Sequence, residues 1–178
     1  MPSLRDVKHR FGTLLTVIEG GSGTFTGVIS ETTQGNSAPA SMASPRRVLR
    51  VGIDVPVKAG MVIRNPIGTS FMVATDGDSG DNFRSFKLFE APQQFTWSKR
   101  GKKIDPITNL QTDAGLLPQP LIWGAYEPGQ ETFDRQLHMS IESGRLLTTA
   151  PVQRDEMVDG KRVSRVDRLL GLNVLTLG

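Results

Sequence analysis

Val48-Leu49-Arg50-Val51-Gly52-Ile53-Asp54-Val55 alternates side chains with period two. Leu49, Val51, Ile53 and Val55 fall on one face, and Val48, Arg50, Gly52 and Asp54 on the other. Successive strand residues point to opposite sides, so this is the pattern of a half-buried β-strand. Outward from it, short strands are predicted at 13–18, 25–29, 61–64, 70–75 and 83–89. Glu19-Gly20-Gly21-Ser22-Gly23 turns the first pair as a hairpin. Asn65-Pro66-Ile67-Gly68 and Asp76-Gly77-Asp78-Ser79-Gly80-Asp81 mark further turns. The fold class expected is mainly β: a small barrel or sandwich, or two packed β subdomains, with a short N-terminal helix and long irregular loops.

The helix is expected where Ser3-Leu4-Arg5-Asp6 has capping-box spacing and Leu4, Val7 and Phe11 share a face before Gly12. Thr32 to Pro45 has almost no apolar anchor and reads as a loop. Residues 92–130 contain Pro92, Pro106, Pro118, Pro120 and Pro128, both tryptophans and the single tyrosine. Proline breaks regular elements, so this stretch is read as irregular, and as either interface-forming or folded over its own core. Strands resume at 133–142 and 146–152, with a turn at Ser143-Gly144. Asp159-Gly160 is a tight turn, and 172–177 is a last strand. The division is then 1–91 as helix plus barrel part, 92–130 as irregular segment, and 131–178 as a C-terminal β part packed on the first. Val55-Pro56-Val57 before Met61-Val62 is echoed by Ala150-Pro151-Val152 before Met157-Val158. Two similar hairpins suffice to explain the echo.

The 178 residues are 37% apolar and 22% charged, with 19 glycines, 11 prolines and no cysteine. That is a foldable mixture without disulfides, thiolate metal sites or a cysteine nucleophile. The first residues lack a signal-peptide core and no run matches a membrane span, so a cytosolic site of synthesis is expected. Net charge is +3. The one dense basic cluster, Lys99-Arg100-Gly101-Lys102-Lys103, reads as a solvated loop tip or as a contact for an acidic partner or phosphate backbone.

Catalytic patterns fail on inspection. Gly77-Asp78-Ser79-Gly80 spells a serine-protease nucleophile motif, but His9 alone precedes it, too close in sequence for a two-barrel protease. Asp76, Asp78 and Asp81 do not continue as a calcium loop, since Gly80, Asp81 and Lys87 occupy the fifth, sixth and twelfth positions. Gly20-Gly21-Ser22-Gly23 lacks the lysine of a phosphate loop. His9 and His138 give no metal spacing, and Asp155-Glu156 is an ordinary carboxylate pair. A non-enzyme is expected, without cofactor or metal.

Val57-Lys58-Ala59-Gly60-Met61-Val62, Gly68-Thr69-Ser70-Phe71-Met72-Val73, the returning Phe86-Lys87-Leu88 and Asp155-Glu156-Met157-Val158-Asp159-Gly160-Lys161-Arg162-Val163 together resemble the small β-barrel head-completion proteins of tailed bacteriophages. The likeness covers about 48–90 and 146–177. It implies a structural virion protein, a collar or head-to-tail connector ring between portal and tail. Its partners would be copies of itself, the portal or adaptor, and tail proteins. DNA would pass through its lumen without sequence-specific binding, and no membrane is involved. Interface candidates are Phe95, Trp97, Lys99, Arg100, Leu116, Leu117, Leu121, Trp123 and Tyr126, and residues 92–128 are expected to contact neighbours. The alternative is a nucleic-acid-binding barrel of the OB type, using Phe95, Trp97, Lys99 and Arg100. A third reading is a hydrolase whose site has no recognisable motif.

Overall fold

Twelve strands and no helix make up the described part of the chain, which in this computed structural model is residues 12–31, 47–80, 82–134 and 139–178. The N-terminal helix and the Thr32–Pro45 loop expected above lie outside these residues. So do His9 and His138, Asp81 and the side chains of 76–79.

Strands β1 (Thr13–Glu19), β2 (Thr24–Glu31), β3 (Arg47–Gly52), β4 (Val62–Arg64), β5 (Ser70–Gly80) and β6 (Phe83–Glu90) close a barrel in the order β1-β2-β3-β6-β5-β4. Strands β7 (Gln93–Ile104), β8 (Gln111–Asp134), β9 (Met139–Thr148), β10 (Met157–Val158), β11 (Lys161–Leu169) and β12 (Leu172–Leu177) close a second one in the order β7-β8-β9-β12-β11-β10. Counted from its own first strand, each barrel has the same order. Closure gives every strand a neighbour on both sides, so neither barrel keeps an edge strand.

The period-two stretch supplies β3, with Leu49 and Val51 fully buried. It stops at Gly52. Ile53 is 51% exposed in the turn that follows, so the alternation overruns the strand by three residues. The predicted strand over 133–142 is two strands: Phe133 in β8 pairs with Ser140 in β9, and Ser143-Gly144 lies within β9.

The segment 92–130 is the larger correction, since it is a β-hairpin rather than irregular chain. Its prolines sit where the ladder needs no amide. Pro92 precedes β7, and Pro106 lies in the turn between β7 and β8. Pro118 and Pro120 lie where β8 has only β7 beside it, and Pro128 adjoins a register shift.

The echo around the two X-Pro-Val segments extends through both barrels. Val57 N–H bonds Val55 C=O at 2.8 Å, and Val152 N–H bonds Ala150 C=O at 2.9 Å. Arg84 Nη2 donates to Val55 C=O at 2.6 Å, and Asn173 Nδ2 to Ala150 C=O at 2.8 Å, so each barrel ties this bend to its last strand. Gly60 and Asp155 both have left-handed φ, 89° and 70°. Gly60 N–H bonds Val73 C=O and Asp155 N–H bonds Val163 C=O, each at 2.8 Å. The match sets Met61 against Glu156, one residue off the register suggested by the two Met-Val pairs. Gly27 and Gly124 are also equivalent, opposing the first residues of β1 and β7. A Cβ at either would lie 2.7 Å from a leucine Cδ1, of Leu49 or Leu146, so the leucine would have to move, and at Gly124 the backbone oxygen of Leu147 lies equally close.

Each barrel has its own core, the first around Leu15, Leu49, Phe71 and Phe86, the second around Phe95, Trp97, Leu146 and Leu175. A third cluster joins them. Val62, Met72, Ala74 and Phe89 from the first barrel meet Leu147 and Leu172 from the second, with Trp123 packed alongside. Thr75 N–H bonds Leu170 C=O across this seam at 2.8 Å. The seam has the burial of a core, so the barrels form one packed body.

Candidate interaction arm

The β7–β8 hairpin outruns the barrel it belongs to. Its ladder runs from Gln93–Gly124 to Ile104–Gln111. Strand β10 joins β7 only at Trp97 and Ser98, and β9 joins β8 only from Gly124 onward. From Lys99 to the tip, the hairpin therefore has no third strand among the described residues. At 3.3–3.4 Å per residue this is an arm of about 20 Å.

A free two-stranded ribbon exposes two edges, and both are blunted here. The β7 edge is Lys99-Arg100-Gly101-Lys102-Lys103, and the β8 edge carries Pro118 and Pro120. Lysine and proline at edges oppose strand addition by another chain.

The faces are different. Leu116 opposes Arg100 and Leu117 opposes Lys99, so the two leucines lie on opposite faces, each beside a cation. Gly101 has no side chain to hold Leu117 off; a Cβ there would come within 2.7 Å of Leu117 Cδ1. Leu116 is 52% exposed, Leu117 47% and Leu121 52%. At the tip, Ile104, Ile107 and Leu110 are also exposed. Of nine large apolar side chains exposed on the described surface, six belong to this hairpin, which makes the patch local rather than scattered.

The tip is ordered by one carboxylate. Asp105 Oδ1 accepts from the amides of Ile107 at 2.8 Å and Thr108 at 3.2 Å, and Asp105 C=O accepts from Asn109 N–H at 2.9 Å. The backbone amide of Ile107, then that of Thr108, holds the Asp105 carboxyl below its usual range. Asn109 takes left-handed φ of 56°, a conformation asparagine tolerates.

The nine candidate residues fall into three places. Phe95 and Trp97 are buried in the second barrel, and Tyr126 packs on them with its ring 6.5 Å from that of Phe95. Trp123 lies in the seam, 5.2 Å beneath the Arg64 guanidinium. Lys99, Arg100, Leu116, Leu117 and Leu121 belong to the arm, with Lys99 Nζ 4.5 Å from the Trp97 ring centre at its root. Sequence reasoning missed Ile104, Ile107 and Leu110. Their signal was Asp105-Pro106, a turn-initiating pair set between aliphatics. The Asp155-Glu156 pair has structural partners. Asp155 accepts from Arg162 Nε at 2.9 Å, and that hydrogen bond depresses its carboxyl. Glu156, buried, accepts from Trp97 Nε1 at 2.8 Å and Gln153 N–H at 2.9 Å. Among the described residues no group of three or more His, Asp or Glu could hold a metal ion.

No protein-family model, no characterised protein and no solved structure matches this chain.

Proposed function

We propose that the protein is a non-catalytic assembly component whose β7–β8 arm docks on a neighbouring subunit. The observation that carries this reading is the concentration of exposed aliphatic side chains on one pre-ordered hairpin. Such a patch gains free energy only when something covers it. Exposed aliphatics run from Ile107 at the tip, past Leu116 and Leu117 on the two faces, to Leu121 at the root, a span of about 30 Å. Interfacial insertion into a lipid surface reaches only about 5–10 Å, so a membrane would cover the tip alone. A protein partner that clasps the arm covers both of its faces along that length.

The resemblance to phage head-completion proteins gives this reading its specific form: a ring in the virion between portal and tail, made in the host cytoplasm, with DNA in its lumen. The nucleic-acid alternative keeps the cations of 99–103 but not its stacking platform. Base stacking needs exposed rings, and Phe95 and Trp97 are 5% and 7% exposed.

The test is a shortened arm. Replacing residues 101–115 by Asn-Gly joins Arg100 to Leu116 through a two-residue hairpin turn. A cut reaching Gly124 would instead take Ile122 out of the second core. The short-arm variant is expected to keep the far-ultraviolet circular dichroism and melting temperature of the full chain and to lose self-association in light scattering. A variant that assembles like the full chain refutes the reading.

A further inference from the structure

Where the barrels meet, the turn after β4 borders a groove with a volume of about 600 Å³. Arg64 and Ile67 come from the first barrel, Trp123 from the second, and Pro92 from the joint between them. Arg64 is anchored, its Nε donating to Ser70 Oγ at 3.1 Å while the guanidinium covers the Trp123 ring. The turn is fixed by Asn65 Oδ1, which accepts from Thr69 N–H at 2.8 Å. That fixed turn holds Ile67 88% exposed. Glu90 also lines the groove. It pairs with Arg47 at 3.2 Å, yet its side chain stays 57% exposed. Ile67, Pro92 and Trp123 thus form an apolar surface between a held cation and a reachable carboxylate.

An occupant that matches needs an aliphatic knob flanked by a cation and a carboxylate. The arm tip has that composition. Ile107 is 93% exposed, and below it Lys102 and Asp113 face each other across the ladder. The chain cannot fill its own groove this way. Trp123, at the foot of the arm, lines the groove, and the paired strands carry Ile107 about 30 Å away from it.

We propose that the groove receives the arm tip of a second copy, with Ile107 against Ile67, Pro92 and Trp123, Lys102 toward Glu90 and Asp113 toward Arg64. This rests on the arm-mediated assembly proposed above and names its receptor. The two surfaces differ, so the contact is head-to-tail and closes into a ring where the rotation permits.

The experiment uses full-length chains and two substitutions at exposed positions, Ile107→Asp and Ile67→Asp. Each alone is expected to weaken self-association about thirtyfold or more, the loss typical of an interface hot spot. Mixed one to one, they are expected to give a heterodimer and nothing larger. The Ile67→Asp chain keeps a working arm and the Ile107→Asp chain a working groove, so one productive contact remains. Lys102→Glu is expected to weaken assembly and to be rescued by a partner carrying Glu90→Lys. If Ile107→Asp blocks assembly while Ile67→Asp assembles normally, the arm reading stands and the groove belongs to another occupant. If the mixture stays monomeric while the unaltered chain assembles, the head-to-tail contact is refuted. An unaltered chain that stays monomeric at all concentrations overturns both readings.

Discussion

The first barrel closes around Val17 and Met61, and the second puts Trp97 and Glu156 at the same two positions. Val17 opposes Ile63 as Trp97 opposes Val158. Two apolar side chains are matched by a larger ring and a buried carboxylate, and they exchange as a pair for a physical reason. An indole inside a core needs an acceptor for its N–H, and Glu156 supplies it. The outer faces differ as well. Following the ladders, Leu147 of the second barrel corresponds to Arg50 of the first, and Trp123 to Thr26. Leu147 and Trp123 lie in the seam; Arg50 and Thr26 are exposed. In the other direction, Met72 and Ala74 of the first barrel lie in the seam, while Arg162 and Ser164 of the second are exposed. The barrels therefore join through unlike faces, and polar residues cover the faces where a third would stack.

The largest effect should come from erasing that outer difference. Leu147→Arg places a charge among Val62, Met72 and Leu172, and a loss of about 4 kcal/mol or more is expected in urea unfolding. Arg50→Leu, at the equivalent exposed site, should change stability by less than about 0.5 kcal/mol. Equal effects at the two sites would mean the seam does not hold the barrels together.

The interior pair gives a smaller, sharper test. Glu156→Met alone leaves Trp97 Nε1 and Gln153 N–H without their acceptor and should cost about 2–3 kcal/mol. Trp97→Phe alone leaves the carboxylate short of a donor. The double variant should lose less than the sum of the two, by about 1 kcal/mol or more. Strict additivity would show that the two residues are not a unit.

The smallest effect concerns Glu19, half-buried at the seam, where Thr149 Oγ1 donates to its Oε1 at 3.3 Å. Burial raises its carboxyl above the usual value, and the Thr149 bond offsets only part of that. A raised carboxyl contributes stability that is complete below the unfolded-state pKa and lost as pH rises through the folded one. Glu19→Gln should therefore stabilise at neutral pH by a fraction of about 1 kcal/mol, after solvent screening, and the gain should vanish near pH 4. A gain that grows toward acid pH would reverse the assignment.

The sequence was readable where one face of a strand is wet. Leu49 and Val51 announce β3, and Asp159-Gly160, with φ of 45° and 75°, makes the predicted tight turn. It was misleading where a strand has few neighbours. In β8, Pro118 and Pro120 look like breakers because a residue's count of ladder partners is a tertiary property. Two packed β subdomains were expected, but the part that 92–130 plays in closing the second was hidden for that reason, and its likeness to the first showed only as one proline and a Met-Val pair set off register. The arm was half legible. Its leucines and cations stood out, but whether Trp97 faces solvent or a core depends on a carboxylate 59 residues away.

One strand connects most of these parts. Strand β8 pairs with β7 over its first half and with β9 over its second, 24 residues in all. Ladder hydrogen bonds lie across the strand axis. A pull on the arm along that axis loads many of them in shear at once, instead of peeling them singly. Tension applied at Ile107 enters the wall of the second barrel along β8, and reaches the first along β7 through Ala91-Pro92. The arm is mechanically a tie rod anchored in one barrel, while the other hangs from it by the Ala91-Pro92 joint and a packed seam with its Thr75–Leu170 hydrogen bond.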